Sequence, residues 1–355
     1  MFSWFSSSPS PVKATTTTSN TESSIAVTTV EKTSEVTDTV KEDRLTFDPT
    51  PDDKPFLDLF KKQHGLHWGP SEIDFKLDKG HYNKLPDDLR SLFDKILAFF
   101  ASADSIVLEN TIKHFRNNAE LQSIEFLYDE QAYFEIIHVM TYNEAIDTYI
   151  TDLDKRMKIK KSFKTDPLVY KREQWMCNRM NDKVSETERL VSFICAEGIN
   201  FVSSFLVIFY FRTTGRFPSF ATANQWIARD ELMIHVETGL LRYMRFHQGK
   251  LSNAEVTKIV EESVELELEF ARSLIPNGVI ENLHLKDVEG HIRNLGNYYL
   301  TRLGLEEKWQ VDRASLPPWL SFLTLRPRAN FYERTVSEYQ GPKAVSENPN
   351  DDKDW

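Results

Sequence analysis

The chain runs to 355 residues, 40% of them hydrophobic and 27% charged, a balance that excludes wholesale disorder. With 54 acidic against 43 basic side chains the net charge is -11, which argues against a nucleic-acid binder, since that needs a basic footprint. Two cysteines, Cys177 and Cys195, exclude a disulfide framework and a multi-cysteine zinc site. They suit a reducing compartment, and a cytoplasmic location is expected.

Residues 1–40 hold 19 Ser or Thr and read as a solvated tail, part of a disordered arm spanning 1–53. The opening MFSWFSSSPSPVKA has no basic segment followed by a sustained apolar run, so it is a poor signal peptide. After the turn-rich FDPTPDDKP the helical period dominates. It predicts helices over 55–64, 86–117, 119–151, 166–180, 185–213, 221–247, 252–274 and 283–304. Strand signals are absent apart from Asn277-Gly278, which falls between helices. One stretch, Leu190–Phe211, is long enough to span a bilayer. It carries Glu197 at its middle, so a helix buried in protein is expected instead and no membrane partner. The fold class is therefore all-α, a helical bundle over 54–325. Beyond Pro317-Pro318 the helical period fades into a polar, acidic tail over 326–355.

Four predicted helices each set an acid inside an apolar run: Asp104 in ILAFFASADSIVLEN, Glu135 in QAYFEIIHVMTY, Glu197 in SFICAEGINFVSSF and Glu231 in WIARDELMIHVETG. One such acid is ordinarily a paired structural carboxylate, but four buried acids need a common compensator. Glu135 and His138 lie about 60° apart on one helix face, and Glu231 and His235 about 40° apart on another. Carboxylates with imidazoles favour iron or manganese, and two divalent ions neutralise four carboxylates. Two lone acids plus two acid–His pairs on four helices is the dinuclear pattern of ferritin-like bundles. His64 and His67 in HGLH suggest zinc, but the sequence shows no further ligand beside them.

These segments resemble the small, radical-bearing subunit family of class I ribonucleotide reductase, of the eukaryotic or viral kind. The resemblance rests on LAFFASADSIVLEN, EIIHVMTY, AEGINFVSSF, NQWIARDELMIH and NFYERTVSEYQ. It implies a ferritin-like fold and two iron (or manganese) ions activated by oxygen. Asp104, Glu135 and His138 would hold one ion; Glu197, Glu231 and His235 would hold the other. The family's second pair usually reads Glu-x-x-His, whereas three residues separate Glu231 from His235 here. A one-residue π-bulge would absorb the insertion.

The resemblance also implies that Tyr142, one turn after His138, bears the radical; family members with a mixed metal centre have Phe there. Phe201, Phe205 and Ile227, which by spacing alone read as core, would form its dry wall. His138, Asp230 and Trp68 would carry an electron and proton towards the surface, and Tyr339 would continue the path. The terminal DDKDW would dock on the large subunit, with Trp355 replacing the usual Phe, and the protein would form a homodimer. Two other readings stay open: another ferritin-like di-metal oxidase, with no use for Tyr339, and a radical-free regulatory paralogue.

Overall fold

Twelve helices are built from the amphipathic runs of the chain, and a computed structural model describes them within residues 46–317. Residues 1–45 of the expected arm, Tyr339 and the DDKDW tail lie outside the described residues, while 46–53 are described and end in buried Asp53, which accepts from the Thr50 N–H at 2.8 Å. In order the helices are α1 (Lys54–His64), α2 (Lys79–Lys84), α3 (Asp87–Asn110), α4 (Gln122–Tyr149), α5 (Leu153–Lys160), α6 (Pro167–Arg179), α7 (Glu186–Gly198), α8 (Val202–Thr213), α9 (Pro218–Asp230), α10 (Val236–Arg242), α11 (Asn253–Leu274) and α12 (Leu285–Arg302). Among the described residues the only strands are Val279–Ile280 and Leu283–His284, paired antiparallel just after Asn277-Gly278. Their turn puts Glu281 at φ 52°, held by the Tyr210 hydroxyl at 3.1 Å and Arg216 Nη2 at 2.5 Å.

Side chains fix the helix ends. Asp166 accepts from the backbone N–H of Leu168 and Val169, with Pro167 in the first helical position. Ser252 and Glu255 form a reciprocal capping box on α11. Buried Asp78 accepts from the N–H groups of Ser219 and Phe220 at 3.2 and 2.7 Å, so a carboxylate faces the positive end of α9.

The helix expected over 185–213 is broken at Ile199–Phe201. Apolarity runs straight through, and residues 189–208 are buried throughout. Three contacts with α11 and α12 break it. Tyr299 lies so close to Gly198 that a Cβ there would meet its ring at 2.3 Å. Asn200 Nδ2 donates to the Ser263 carbonyl at 3.0 Å. Glu267 Oε1 accepts from the Ser203 N–H at 2.7 Å, capping α8. Glu267 also pairs with buried Arg172 at 2.8 Å, whose guanidinium lies over the rings of Phe99 and Phe270. Burial pushes Glu267 up and Arg172 down to about 10, so desolvation exceeds their attraction.

The run 221–247 is likewise not one α-helix. It holds π turns at Glu231–His235 and Tyr243–His247, and a third π turn, Thr111–Phe115, ends α3. α3, α4, α7 and α9 with its π turn surround one interior, and all the expected acids face into it.

Candidate metal centre

Asp104 on α3, Glu135 and His138 on α4, Glu197 at the end of α7, and Glu231 and His235 in the π turn are all buried. The π turn answers the extra residue. The Val236 N–H bonds the Glu231 carbonyl five residues back, and this wider turn brings His235 over Glu231. Glu135, Glu197, Glu231 and His235 offer ligand atoms within 4.8 Å of one another. His138 Nδ1 lies 2.8 Å from Glu231 Oε1 and 3.7 Å from Glu135 Oε2. His235 Nδ1 lies 2.7 Å from Glu231 Oε2 and 3.2 Å from Glu135 Oε1. Glu135 and Glu231 therefore sit between the two imidazoles. Asp104 adjoins the same charges.

Burial, then repulsion from Glu231 and Glu135, raises the Glu197 carboxyl well above its ordinary range. Asp104 is raised chiefly by burial; His138 and His235 pull it down, and Glu135 and Glu231 push it up. Burial would raise Glu231 too, but His235 and His138 outweigh it and hold that carboxylate low. In return, although burial opposes it, Glu231 lifts His235 to about 9 and His138 well above its ordinary value.

Charge compensation within the cluster is incomplete. Both oxygens of Asp104 and of Glu197, and Glu135 Oε2, are buried and make no hydrogen bond among the described residues, and Glu231 Oε1 and His138 Nδ1 meet only as an ion pair. Native interiors rarely leave so many polar atoms without partners in one place. Oxygen and imidazole donors suit iron or manganese, and two dications balance four carboxylates. The residues present fit a dinuclear centre.

The outer contacts fit it as well. Gln131 Nε2 donates to Glu135 Oε1 at 3.1 Å. Gln63 meets His235 Nε2 at 2.9 Å through its amide nitrogen, leaving Oε1 unpaired. A cation on His235 Nδ1 requires a proton on Nε2, and a flipped Gln63 amide accepts it.

Tyr142 is fully buried, and its hydroxyl donates to Asn224 Oδ1 at 3.0 Å. Phe100 stacks on its ring at 4.3 Å and Phe220 meets it edge-on at 6.2 Å. Phe201 and Phe205 pack on Phe100 in turn, at 6.0 and 5.6 Å, and Ile227 is buried on α9. Trp68 Nε1 donates to Asp230 Oδ2 at 2.8 Å, and His138 Nε2 lies 3.4 Å from the same oxygen. Arg229 grips the other Asp230 oxygen at 2.8 and 2.9 Å.

Residues 47–317 match the family model described as ribonucleotide reductase, small chain. The protein belongs to this family. It is 30% identical over 302 residues to a ribonucleoside-diphosphate reductase small chain of Arabidopsis thaliana, a match covering 85% of the present sequence and 87% of that relative. It is 31% identical over 283 residues to subunit M2 of the Danio rerio enzyme, covering 79% and 72%. In fold it is similar to the R2 subunit from Clostridium botulinum, with a TM-score of 0.67 at 22% identity over 76% and 86% of the two proteins. The dimanganese(II)-NrdF of Streptococcus sanguinis gives 0.67 at 17% identity over 78% and 99%.

Within this small chain, sequence reasoning missed Phe100, Asn224, Gln63, Gln131 and Arg229. Phe100 precedes Asp104 by four residues and Asn224 precedes Glu231 by seven, so both share a helix face with a ligand. That spacing was the available signal.

Proposed function

We propose that this small chain makes and stores a radical on Tyr142 and passes it to a large subunit, where ribonucleoside diphosphates are reduced to deoxyribonucleotides. The observation that carries the proposal is a phenol sealed from water, one helical turn after His138, under the stacked ring of Phe100. Asp104, Glu135, His138, Glu197, Glu231 and His235 would hold two iron or manganese ions. Such a centre, together with oxygen, would supply the oxidising equivalent for loss of the Tyr142 phenolic hydrogen atom.

The protein's part is to orient and exclude. Asn224 Oδ1 fixes the direction of the hydroxyl, and the Phe100 and Phe220 rings keep reductants and water away from it. Asp230 Oδ2 bridges Trp68 Nε1 and His138 Nε2, so a proton can shift between them as an electron passes. Arg229 holds the opposite oxygen and prevents the carboxylate from turning. Tyr339 continues this route, DDKDW docks on the large subunit, and two copies pair in the cytoplasm.

Electron paramagnetic resonance on iron-loaded, oxygen-exposed full-length protein tests the reading. A tyrosyl signal is expected, and Tyr142→Phe should abolish it while leaving metal stoichiometry intact. Full loading with no radical would instead favour a different di-metal oxidase, and weak loading a regulatory paralogue. A peptide matching the last residues should compete with the full-length protein for the large subunit; failure to compete counts against that docking mode.

A further inference from the structure

The third ligand that HGLH lacks in sequence is supplied in space by α4. His64 Nδ1 lies 3.0 Å from Glu130 Oε1, and His67 Nε2 contacts the same oxygen. The ligand atoms of the three residues all fall within 4.8 Å of one another. We infer that His64, His67 and Glu130 form a second metal site, at the protein surface, which takes one divalent cation of the zinc class and clamps the Leu66–Trp68 segment to α4.

The donor chemistry and the packing both support this site. Two imidazoles and one carboxylate are a three-ligand zinc set with a position left for water. The imidazole side is open, with the His64 and His67 side chains 63% and 37% exposed, whereas Glu130 is held at 13%. The rings are already oriented. His64 stacks on Phe60 at 5.8 Å, and His67 lies between Tyr133 at 4.8 Å and the edge of Phe134 at 5.2 Å. Less side-chain freedom is therefore lost on binding than for three loose surface residues. His64 also occupies the last turn of α1, where the helix dipole favours positive charge.

This site shares no ligand with the buried centre. Glu130 precedes Glu135 by five residues, which puts it about 140° round α4 and about 7.5 Å along it. Phe134 stands between the two, touching His67 on one side and His138 and His235 on the other, each at 6.4 Å. The consequence concerns Trp68, the residue next to His67. Its segment is otherwise tied down by the Leu66 carbonyl on Arg229 and the indole on Asp230. A cation joining α1, this segment and α4 adds a cross-link at its free side.

Cobalt(II) titration of the full-length protein, read by visible absorption and elemental analysis, is the direct test. The wild type should take one equivalent more than His64→Ala or Glu130→Gln, with the intense bands of low-coordinate cobalt lost in both variants. Equal uptake and equal spectra in all three proteins would overturn the site, whatever the buried centre holds. With zinc, hydrogen exchange over residues 65–69 should slow at least several-fold in wild type and not in His64→Ala. Exchange unchanged by zinc would overturn the clamp.

Discussion

A phenol buried away from water must find its hydrogen-bond partner inside the protein, and for Tyr142 that partner is Asn224. Replacing Asn224 by Leu should leave the hydroxyl unpaired and cost about 1–3 kcal/mol, the penalty for an unsatisfied buried group. Adding Tyr142→Phe removes the stranded hydroxyl, so the double variant should recover most of that loss. Chemical denaturation of the four proteins gives the coupling energy directly; additive losses would mean that the 3.0 Å contact contributes nothing. The same pair shows what sequence can reveal. Asp104, Glu135, Glu197 and Glu231 stand out because a charge in an apolar helix is an anomaly needing a cause. Asn224 and Gln63 are neutral, and their partners lie 82 and 172 residues away; Gln131 is neutral too, although its partner Glu135 is only four residues on. The helix spacing of Asn224 to Glu231 and of Gln131 to Glu135 is the one local hint, and a neutral amide at such a spacing is otherwise ordinary.

At the scale of elements, the extra residue between Glu231 and His235 is absorbed where it occurs. The π turn confines it to one widened turn, so α10 leaves in a direction that still packs on α7. Deleting Met233, the half-buried member of that turn, should convert it to a regular α turn and restore the shorter acid–His spacing without rotating α10. The variant is expected to keep its helical circular dichroism and full metal stoichiometry, with its melting temperature lowered by only a few degrees. Loss of the fold on this deletion would show that the π turn is required by its surroundings rather than by the inserted residue. Such a bulge was expected from sequence because the resemblance supplies the family's usual Glu-x-x-His spacing as a ruler. The break at Ile199–Phe201 was not: LVSFICAEGINFVSSFLVIFYF is apolar on both sides, and its cause lies on α11 and α12, in Ser263, Glu267 and Tyr299. Short α2 and α5 escaped for a different reason, since two turns of helix carry too little periodicity to separate from a loop.

Taken whole, the bundle buries many ionisable groups but almost always in opposed sets: the acids with two histidines at the centre, Arg172 with Glu267, Arg242 with Glu120 at 2.8 Å. His291 departs from this. Its ring is fully buried on α12, and neither nitrogen has a hydrogen-bond partner among the described residues. Burial alone pushes its pKa from the ordinary 6.5 down to about 4. Between those values the unfolded state binds a proton that the folded state refuses, so stability rises with pH across that interval. The contribution is complete above pH 6.5 and is lost as the pH falls towards 4, a swing of about 3 kcal/mol. His291→Leu removes the proton uptake while keeping an apolar side chain of similar reach. Urea denaturation at several pH values over this interval, on both proteins at the same metal loading, isolates the effect, because other titrating groups cancel in the difference. The wild type should lose about 3 kcal/mol more than the variant on going from the top of the interval to its foot. Parallel stability curves for the two proteins would mean that His291 takes up its proton in the folded bundle, with water or a shifted neighbour compensating the charge.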